Sequence, residues 1–497
     1  MAEIHPDYIH HISEQIAPDE LSDFLAICQS PLRVSIRINT LKISVNEFKV
    51  LAEQNQWQLL PVPWCESGFW LERPANQLEQ IPLGNTPEHL LGLIYIQEAS
   101  SMLPAEILLK IYQQHQAKFP EKILDMAAAP GSKTTQLAAI TQQQALLFAN
   151  ELSSSRLKSL ANNFRRTGVV NYCLLHKDGQ DFSTLTPDTF DAILLDAPCG
   201  GEGTVRKDPN ALKHWAIENV LANAGLQQKL IEAAFIALKD NGVLVYSTCT
   251  LSREENEAIC HQLLQAHPEQ CSTISLQHVF PGSDKAWTPE GFVKIWPHIF
   301  DSEGFFVAAF KKLSAATNNS NAELTKSVGK ICHSGYWSNP VDDLMLSIKR
   351  YFLEHFAFDL NSLKGQFLVK NDKRSETLWL FPSALGNSLF KTLKPNRTGI
   401  KIVECFTRGR KIQFRLNHEC CIAFGKQFKH HVVSVTLEQL QQIYLGKDIT
   451  IEDKSITGDC VIVYEGQPAG IVRAIKGRLK NNLPRELLKD RLNWIVT

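Results

Sequence analysis

Short apolar segments alternate with helical segments through the middle of the chain, and this alternation constrains the fold more than any other feature. The apolar segments have the length of strands and lie at 122–126, 145–150, 171–176, 190–196, 242–247 and 304–310. Helical segments separate the first five, a rhythm typical of a parallel, doubly wound α/β sheet with helices on both faces. The last segment follows a strand-like piece at 291–296 without a long helix between them, which predicts an antiparallel hairpin at the sheet edge.

The first strand-to-helix junction, 123–133, has the composition of a ligand-binding turn. Asp125 ends the apolar run, and small residues with a Pro-Gly pair precede the next helix. Such a turn presents backbone N–H groups and the positive end of a helix dipole, and small side chains let a ligand come close. An ordinary turn between a strand and a helix is the alternative. The predicted ligand-binding residues are Ala127, Ala128, Ala129, Pro130, Gly131, Ser132 and Lys133.

Acidic residues follow the next two predicted strands. Glu151 lies about 20 residues after the turn, a distance at which an acidic side chain can bind ribose hydroxyls. The turn lacks the G-x-G-x-x-G pattern of nicotinamide sites, so S-adenosylmethionine, which also carries a ribose, fits better. Asp178 is placed to meet the adenine, although Asp178-Gly179 is also a common turn sequence.

Two cysteines end the strands at 190–196 and 242–247. Asp196-Ala-Pro-Cys199 leads into a glycine-rich loop, and Ser247-Thr-Cys249 follows the other strand. Because the carboxyl ends of parallel strands share one edge, both thiols are expected near the bound ligand. A single cysteine at a strand end is usually a small buried hydrophobe, so structural thiols are the alternative. Two at one edge, with Asp196 beside one of them, favour catalysis.

Pyrimidine chemistry gives a reason for such thiols. Carbon 5 of a pyrimidine is a poor nucleophile until a thiolate adds to carbon 6, after which carbon 5 can attack an electrophilic methyl group. Negative charge then grows at nitrogen 3 and oxygen 2, where a protonated carboxyl would stabilise it. The carbon 5 proton must leave before the thiol is eliminated, and a second cysteine can assist that elimination.

The outer parts of the chain differ from its middle. Residues 31–39 alternate like a strand, with Arg33 and Arg37 predicted on a solvent-exposed face. Residues 314–321 form a small polar linker, and short strand-like pieces dominate the region from 330 to 497. That region has a basic stretch at 473–491 and a second basic cluster between 391 and 415. Phosphate binding is favoured for both, although charge runs are often merely solvated.

Composition limits the class of protein. The 497 residues carry a net charge of −1, so no global field directs the chain to nucleic acid, and RNA binding would need a local basic surface. The twelve cysteines form no paired C-x-x-C framework, which predicts reduced thiols in a cytoplasmic protein and no metal site. The polar N-terminus does not resemble a signal peptide, and no apolar run reaches the length of a membrane span.

The two cysteine motifs together resemble those of the RNA cytosine-5 methyltransferases, the RsmB/NOP family. Asp196-Ala-Pro-Cys199 and Ser247-Thr-Cys249 match its paired "PC" and "TC" motifs, and residues 127–133 match its cofactor turn. The resemblance implies that Cys249 is the nucleophile, that Cys199 assists product release and that Asp196 contacts the cytosine or the methyl donor. It also implies that residues 127–133, Glu151, Asp178 and Asp196 bind S-adenosyl-L-methionine. Lys133 and Arg156 fit roles near the donor and the RNA.

Further motifs lie at 32–42, 97–104, 296–298, 304–306, 458–470 and 479–485. Together they resemble the RsmF-type branch of this family, whose members methylate a cytosine of 16S ribosomal RNA. The implied fold is a Rossmann-like α/β methyltransferase core with an N-terminal α+β extension and a C-terminal β-rich PUA-like module. The expected domains are an RNA-handling extension (1–117), the core (118–313), a linker (314–329), a connecting region (330–390) and the PUA-like RNA-binding module (391–497). The expected partner is 16S ribosomal RNA or the small ribosomal subunit. The protein is expected to be a monomer that does not bind a membrane. Transfer RNA is the alternative substrate, and an RNA-binding assembly factor is the alternative function.

Overall fold

A computed structural model of the chain describes residues 2–314, 337–371, 375–408 and 411–494. Apart from residue 314, the predicted linker lies outside the described residues. The chain divides into two compact units. The first comprises 1–73, 94–161 and 173–324, and the second comprises 74–93, 162–172 and 325–497. The domain boundaries expected from the sequence remain predictions.

Helices and strands alternate through most of the described chain. The α-helices are α1 (Pro6–Ser13), α2 (Leu21–Cys28), α3 (Val45–Gln54), α4 (Ala75–Gln80), α5 (Pro87–Leu90), α6 (Leu103–Gln116), α7 (Ser132–Ile140), α8 (Ser154–Thr167), α9 (Phe182–Leu185), α10 (Ile217–Ala237), α11 (Glu257–Ala266), α12 (Pro297–Phe300), α13 (Asp342–Phe356), α14 (Asn387–Leu393), α15 (His418–Phe424) and α16 (Leu437–Tyr444). The strands up to the linker are β1 (Ser35–Ile38), β2 (Gln58–Pro61), β3 (Gly68–Glu72), β4 (Ile94–Ile96), β5 (Lys122–Asp125), β6 (Leu146–Asn150), β7 (Tyr172–Leu175), β8 (Phe190–Asp196), β9 (Leu238–Thr248), β10 (Cys271–Thr273), β11 (Val293–Ile295) and β12 (Phe305–Lys312). Beyond it are β13 (Trp337–Ser338), β14 (Gln366–Asn371), β15 (Glu376–Phe381), β16 (Arg397–Thr398), β17 (Ile400–Arg408), β18 (Lys411–Leu416), β19 (Val432–Ser434), β20 (Ile449–Thr450), β21 (Gly458–Tyr464), β22 (Gln467–Ile475) and β23 (Arg478–Asn481).

The large sheet of the first unit has the predicted parallel core. Its strands follow the order β10-β12-β9-β8-β5-β6-β7, and β5 pairs in parallel with both β6 and β8. Strand order therefore reverses between β5 and β8, the switch point where open α/β sheets bind ligands. Strands β5, β6 and β8 are almost continuously buried, as expected when helices cover both faces.

The antiparallel hairpin predicted at the end of the core is confirmed. Strand β11 pairs with β12, and β12 pairs antiparallel with β9. Among the described strands β11 pairs only with β12, so the hairpin lies at the sheet edge as predicted; β10, which was not predicted, pairs with the other end of the same side of β12. Strand β10 has only three residues, too few to produce a recognisable alternation in the sequence.

A second sheet of the first unit, ordered β2-β3-β1-β4, is antiparallel and comes from the N-terminal part of the chain. The prediction that Arg37 lies on a solvent-exposed face of β1 is wrong, because its side chain is only 1% exposed. Its guanidinium donates hydrogen bonds to Gln97 Oε1 at 2.9 Å and to Thr135 Oγ1 at 2.8 Å. Arg37 therefore joins this sheet to the first turn of α7, where sequence patterning alone places it in solvent.

The second unit contains two five-stranded sheets. One has the order β13-β14-β15-β17-β18, and its described strand pairs are all antiparallel. The other has the order β19-β21-β22-β23-β20, with a parallel pair between β19 and β21. This architecture agrees with the predicted β-rich C-terminal region. In the described part of the chain, no helix has the length and apolar character needed to cross a membrane.

Candidate active site at the carboxyl ends of the strands

The turn between β5 and α7 lies at the switch point of the sheet. Gly131 precedes α7 with a φ of 104°, in the left-handed region that favours glycine. Asp125, the last residue of β5, is buried and accepts a hydrogen bond from Thr134 Oγ1 at 2.5 Å. Burial raises the pKa of Asp125 to about 7. The hydrogen bond between Asp125 and Thr134 thus ties the end of β5 to α7. The N-terminus of α7 leaves backbone N–H groups without partners inside the helix, and these can bind a ligand.

Glu151 follows β6 at the same edge. Its side chain is buried, and Oε1 accepts a hydrogen bond from the Ser153 backbone N–H at 2.8 Å. Oε2 lies 3.5 Å from Arg156 Nη1 and has no hydrogen-bond partner within the described residues. A buried carboxylate oxygen without a donor is costly, and it suits a ligand that brings hydroxyl groups. The residues present therefore fit the ribose of S-adenosylmethionine.

Two neighbours complete this part of the edge. Asp178 follows β7, and its Oδ1 accepts a hydrogen bond from the Gln180 backbone N–H at 3.0 Å. Arg156 donates to the Ala129 carbonyl oxygen at 2.6 Å, which joins the start of α8 to the cofactor turn. Both residues therefore lie at the edge that carries the turn, and part of the acceptor capacity of Asp178 is used within its own turn.

The buried Lys133 and the half-buried Asp196 form an ion pair beside the turn. Lys133 Nζ lies 2.7 Å from Asp196 Oδ2 and donates a second hydrogen bond to Ser101 Oγ at 2.9 Å. Ser247 Oγ donates to Asp196 Oδ1 at 2.8 Å. Burial acts to lower the pKa of Lys133, but the charge and hydrogen bond of Asp196 outweigh it and raise that pKa above its ordinary value. Asp196 thus has a hydrogen-bond donor on each of its two carboxyl oxygens.

The two strand-end cysteines meet at this edge. Cys199 and Cys249 are free thiols, both partly exposed, and their sulfur atoms lie 3.3 Å apart. The adjacent parallel strands β8 and β9 bring them together, with Asp196 in register opposite Ser247. The hydrogen bond with Cys249, together with burial, raises the pKa of Cys199 well above its ordinary value. The two sulfur atoms are thus within hydrogen-bond distance of each other at the edge that carries the turn.

Three side chains that support this edge were not identified as site residues by sequence reasoning. Ser101 contacts Lys133, Glu255 accepts the Gly200 N–H at 3.1 Å, and Glu202 binds the segment after Cys249. Glu202 lies within the glycine-rich loop of the "PC" motif, so its position was a usable signal. Ser101 lies within the family-like motif at 97–104, but neither it nor Glu255 was given a site role, because their contacts depend on packing between distant segments.

The C-terminal basic clusters have different environments. Arg473, Lys476, Arg478 and Lys480 are exposed around the hairpin of β22 and β23. Phosphate binding was also predicted for the cluster between 391 and 415, and for Arg397 this prediction is wrong. The Arg397 guanidinium binds Glu419 and the Tyr172 hydroxyl, so it is not free to bind phosphate. In the described residues, no group of three or more His, Cys, Asp or Glu side chains is placed to hold a metal ion.

Three family models match the chain in order. They are the N-terminal domain of 16S rRNA methyltransferase RsmF (residues 4–99), 16S rRNA methyltransferase RsmB/F (113–311) and the methyltransferase RsmF PUA domain (430–489).

Two curated relatives match nearly the whole chain, and one solved structure matches part of it. The ribosomal RNA small subunit methyltransferase F of Aeromonas salmonicida is 45% identical over 488 residues, covering 98% of this chain and 97% of its own. The protein with the same name from Psychromonas ingrahamii is 45% identical over 478 residues, covering 96% and 95%. The solved structure of a methyltransferase homolog protein from Pyrococcus horikoshii is 30% identical, with a TM-score of 0.51, covering 62% of this chain and 100% of its own. The chain therefore belongs to the RsmF-type 16S rRNA methyltransferases of the RsmB/F family, whose methyl donor is S-adenosyl-L-methionine.

Proposed function

We propose that this protein methylates carbon 5 of a specific cytosine in 16S ribosomal RNA through a covalent bond between Cys249 and carbon 6. The observation that carries the proposal is the 3.3 Å separation of the Cys199 and Cys249 sulfur atoms beside the cofactor turn. The curated relatives are named ribosomal RNA small subunit methyltransferases, which supports ribosomal RNA as the substrate. The PUA family match at 430–489 supports an RNA-binding role for the C-terminal module.

The first step is the attack of the Cys249 sulfur on carbon 6. A carbon–sulfur bond forms, and the π electrons of the C5–C6 bond make carbon 5 nucleophilic while charge spreads to nitrogen 3 and oxygen 2. Asp196, held between Lys133 and Ser247, can accept from the exocyclic amino group, and the Lys133 ammonium stabilises the charge on the ring. S-adenosylmethionine supplies the electrophilic methyl group to carbon 5.

Release completes the cycle. A water molecule accepts the carbon 5 proton, the electrons of that C–H bond restore the C5–C6 double bond, and the bond between carbon 6 and Cys249 breaks with its electron pair on sulfur. The Cys199 sulfur lies 3.3 Å from the departing Cys249 sulfur, so the Cys199 thiol can donate a proton to the Cys249 thiolate. Glu151 and the turn at 127–133 would hold the methyl donor, and Asp178 would contact its adenine.

The adduct itself is the test of this chemistry. Cys199→Ala is expected to retain attack and lose release, so the protein purified under denaturing conditions should carry RNA. Sequencing of that RNA should converge on one cytosine of 16S ribosomal RNA. The double variant Cys199→Ala/Cys249→Ala is the matched control and should carry none. No adduct on Cys199→Ala, or full activity of Cys249→Ala, would contradict the assignment of the two thiols, and attached transfer RNA would replace the substrate.

The cofactor site has a separate test. Glu151→Gln should weaken equilibrium binding of S-adenosylmethionine by about tenfold or more, because a charged acceptor of ribose hydroxyls is lost. Asp181→Asn is the control, since Asp181 is an exposed acid soon after Asp178. Equal affinities of the two variants would count against Glu151 as a ligand. The monomeric state and the cytoplasmic location remain predictions.

A further inference from the structure

One buried carboxylate, that of Glu202, holds the segment that follows Cys249. The side chain is 1% exposed, and its two oxygens accept five hydrogen bonds. Oε2 accepts from Thr250 Oγ1 at 2.7 Å, Leu251 N at 3.1 Å and Ser252 N at 3.0 Å, and Oε1 accepts from Ser252 Oγ at 2.6 Å and Trp215 Nε1 at 2.7 Å. Four of the five donors belong to the three residues directly after the nucleophile.

The backbone beside Glu202 binds the nucleophile itself. The Gly203 N–H donates to the Cys249 carbonyl oxygen at 2.9 Å. Gly203 also accepts, through its own carbonyl oxygen, a hydrogen bond from the Gly304 N–H at 3.0 Å. Residues 202 and 203 therefore fix the chain at Cys249 and immediately after it, on the loop that also carries Cys199.

An apolar cluster encloses this arrangement. Tyr8 and Ile12 of α1 pack with Leu251 and Leu212 in one buried cluster, and Tyr8 meets Trp215 edge to face with ring centroids 5.7 Å apart. Because this cluster excludes water, no water molecule can replace a hydrogen-bond donor to Glu202 if residues 250–252 move. The hydrogen bonds to the Glu202 carboxylate therefore hold residues 250–252 in one conformation. The conformation after Cys249 is therefore set by Glu202.

We propose that Glu202 is a positioning residue for the proposed reaction, which holds the Cys249 sulfur at the angle and distance needed to attack carbon 6. It does so through residues 250–252 and touches neither the cytosine nor the methyl donor. A displacement of about 1 Å at a reacting atom can cost about 100-fold in rate. The inference rests on the proposed function, because it assumes that Cys249 is the nucleophile.

Glu202→Gln is the principal variant. The amide keeps one acceptor oxygen but turns an NH₂ group towards N–H and O–H donors, so the five hydrogen bonds cannot all persist. Hydrogen exchange at the Leu251 and Ser252 amides should accelerate by about tenfold or more, because each loses a bond to a charged acceptor. The rate constant of methyl transfer should fall by about 100-fold, while the affinity for S-adenosylmethionine stays within about twofold.

Leu263→Ala controls for a general loss of stability. Leu263 is a buried residue of α11 outside the site, and its truncation is expected to lower the melting temperature because it leaves a cavity. The inference requires that Glu202→Gln lose much more activity than Leu263→Ala at comparable melting temperature. Equal losses in the two variants, or weakened cofactor binding in parallel with activity, would reduce Glu202 to a structural residue and overturn the inference. Unchanged activity would overturn it as well.

Adduct formation separates this inference from the proposed function. In the Cys199→Ala background, Glu202→Gln should slow the appearance of the RNA adduct by about 100-fold. If Cys199→Ala alone forms no adduct, the proposed chemistry fails, and the exchange and methyl-transfer comparisons still decide whether Glu202 positions the segment. If the adduct forms at the same rate with and without Glu202→Gln, the proposed function stands and the positioning role is refuted.

Discussion

Removal of the carboxylate of Asp196 is expected to destabilise the methyltransferase core through the lysine it leaves behind. The Lys133 side chain is 7% exposed, with Nζ 2.7 Å from Asp196 Oδ2. At that distance the attraction is about 6 kcal/mol for an effective dielectric constant of about 20. Among the residues that the structure describes, Ser101 is the one hydrogen-bond partner of Nζ that the Asp196→Ala variant retains.

The net loss is smaller than the attraction. Breaking a buried ion pair by removing one partner costs about 3–5 kcal/mol, because the remaining charge stays desolvated. Asp196 is 30% exposed, so water reaches part of the site and the lower end of that range applies. We expect Asp196→Ala to cost about 3 kcal/mol, and Asp196→Asn less, since its carbonyl oxygen still accepts one hydrogen bond. Lys133→Met in the Asp196→Ala background should recover about 2 kcal/mol of this loss.

Hydrogen exchange of β5 and α7 in the intact protein measures this loss locally. The method avoids treating the unfolding of a two-unit chain as one transition. The four proteins of the cycle are the wild type, Asp196→Ala, Lys133→Met and the double variant. Additive effects of the two substitutions would refute the reasoning, because they would mean that the buried ammonium does not depend on Asp196.

Three other predictions concern the surroundings of the thiols. Diamide, which takes up the two thiol hydrogens, should link Cys199 to Cys249, whose sulfurs are 3.3 Å apart, and block methyl transfer until dithiothreitol is added; two free thiols by mass spectrometry would contradict this. Gly203→Ala should destabilise the protein by about 2 kcal/mol or more, because the new Cβ would lie 2.0 Å from the Gly304 carbonyl oxygen, and an unchanged melting temperature would refute the clash. Burial and the neighbouring Glu98 raise the pKa of Glu303 from its ordinary value of 4.5 to about 8. The folded state therefore prefers the protonated acid, and the free energy of unfolding falls as pH rises from about 4.5 to about 8. Glu303→Gln should therefore gain stability relative to the wild type between about pH 5 and pH 9, and a difference independent of pH would argue against the shift.

Local patterns were sufficient to predict the parallel core and the strand ends. The buried strands were continuous apolar runs, and the acids and cysteines lay directly after them, so the edge that holds them follows from parallel topology alone. Cys199 and Cys249 were expected at one edge for this reason.

Contacts between distant segments were not predictable. Arg37 alternates with apolar residues and so has the pattern of an exposed side chain, yet its partners, Gln97 and Thr135, are 60 and 98 residues away. Arg397 gave the same false signal, since Glu419 and Tyr172 become its partners only in the folded chain. Sequence patterning reports which residue types occur, whereas the pairing of a buried charge depends on which segments the fold brings together.

The parallel register of β8 and β9 determines where this enzyme core can change length. Asp196 lies opposite Ser247, and the two sulfurs follow at fixed offsets of three and two residues. One residue inserted into either strand would displace its cysteine by about 3.3 Å and turn the preceding side chains to the other face of the sheet. Insertions at the amino ends of the strands would leave both sulfurs in place. Among functional relatives, insertions and deletions should therefore occur at the amino ends of these strands. None should occur between residue 191 and Cys199, or between residue 243 and Cys249.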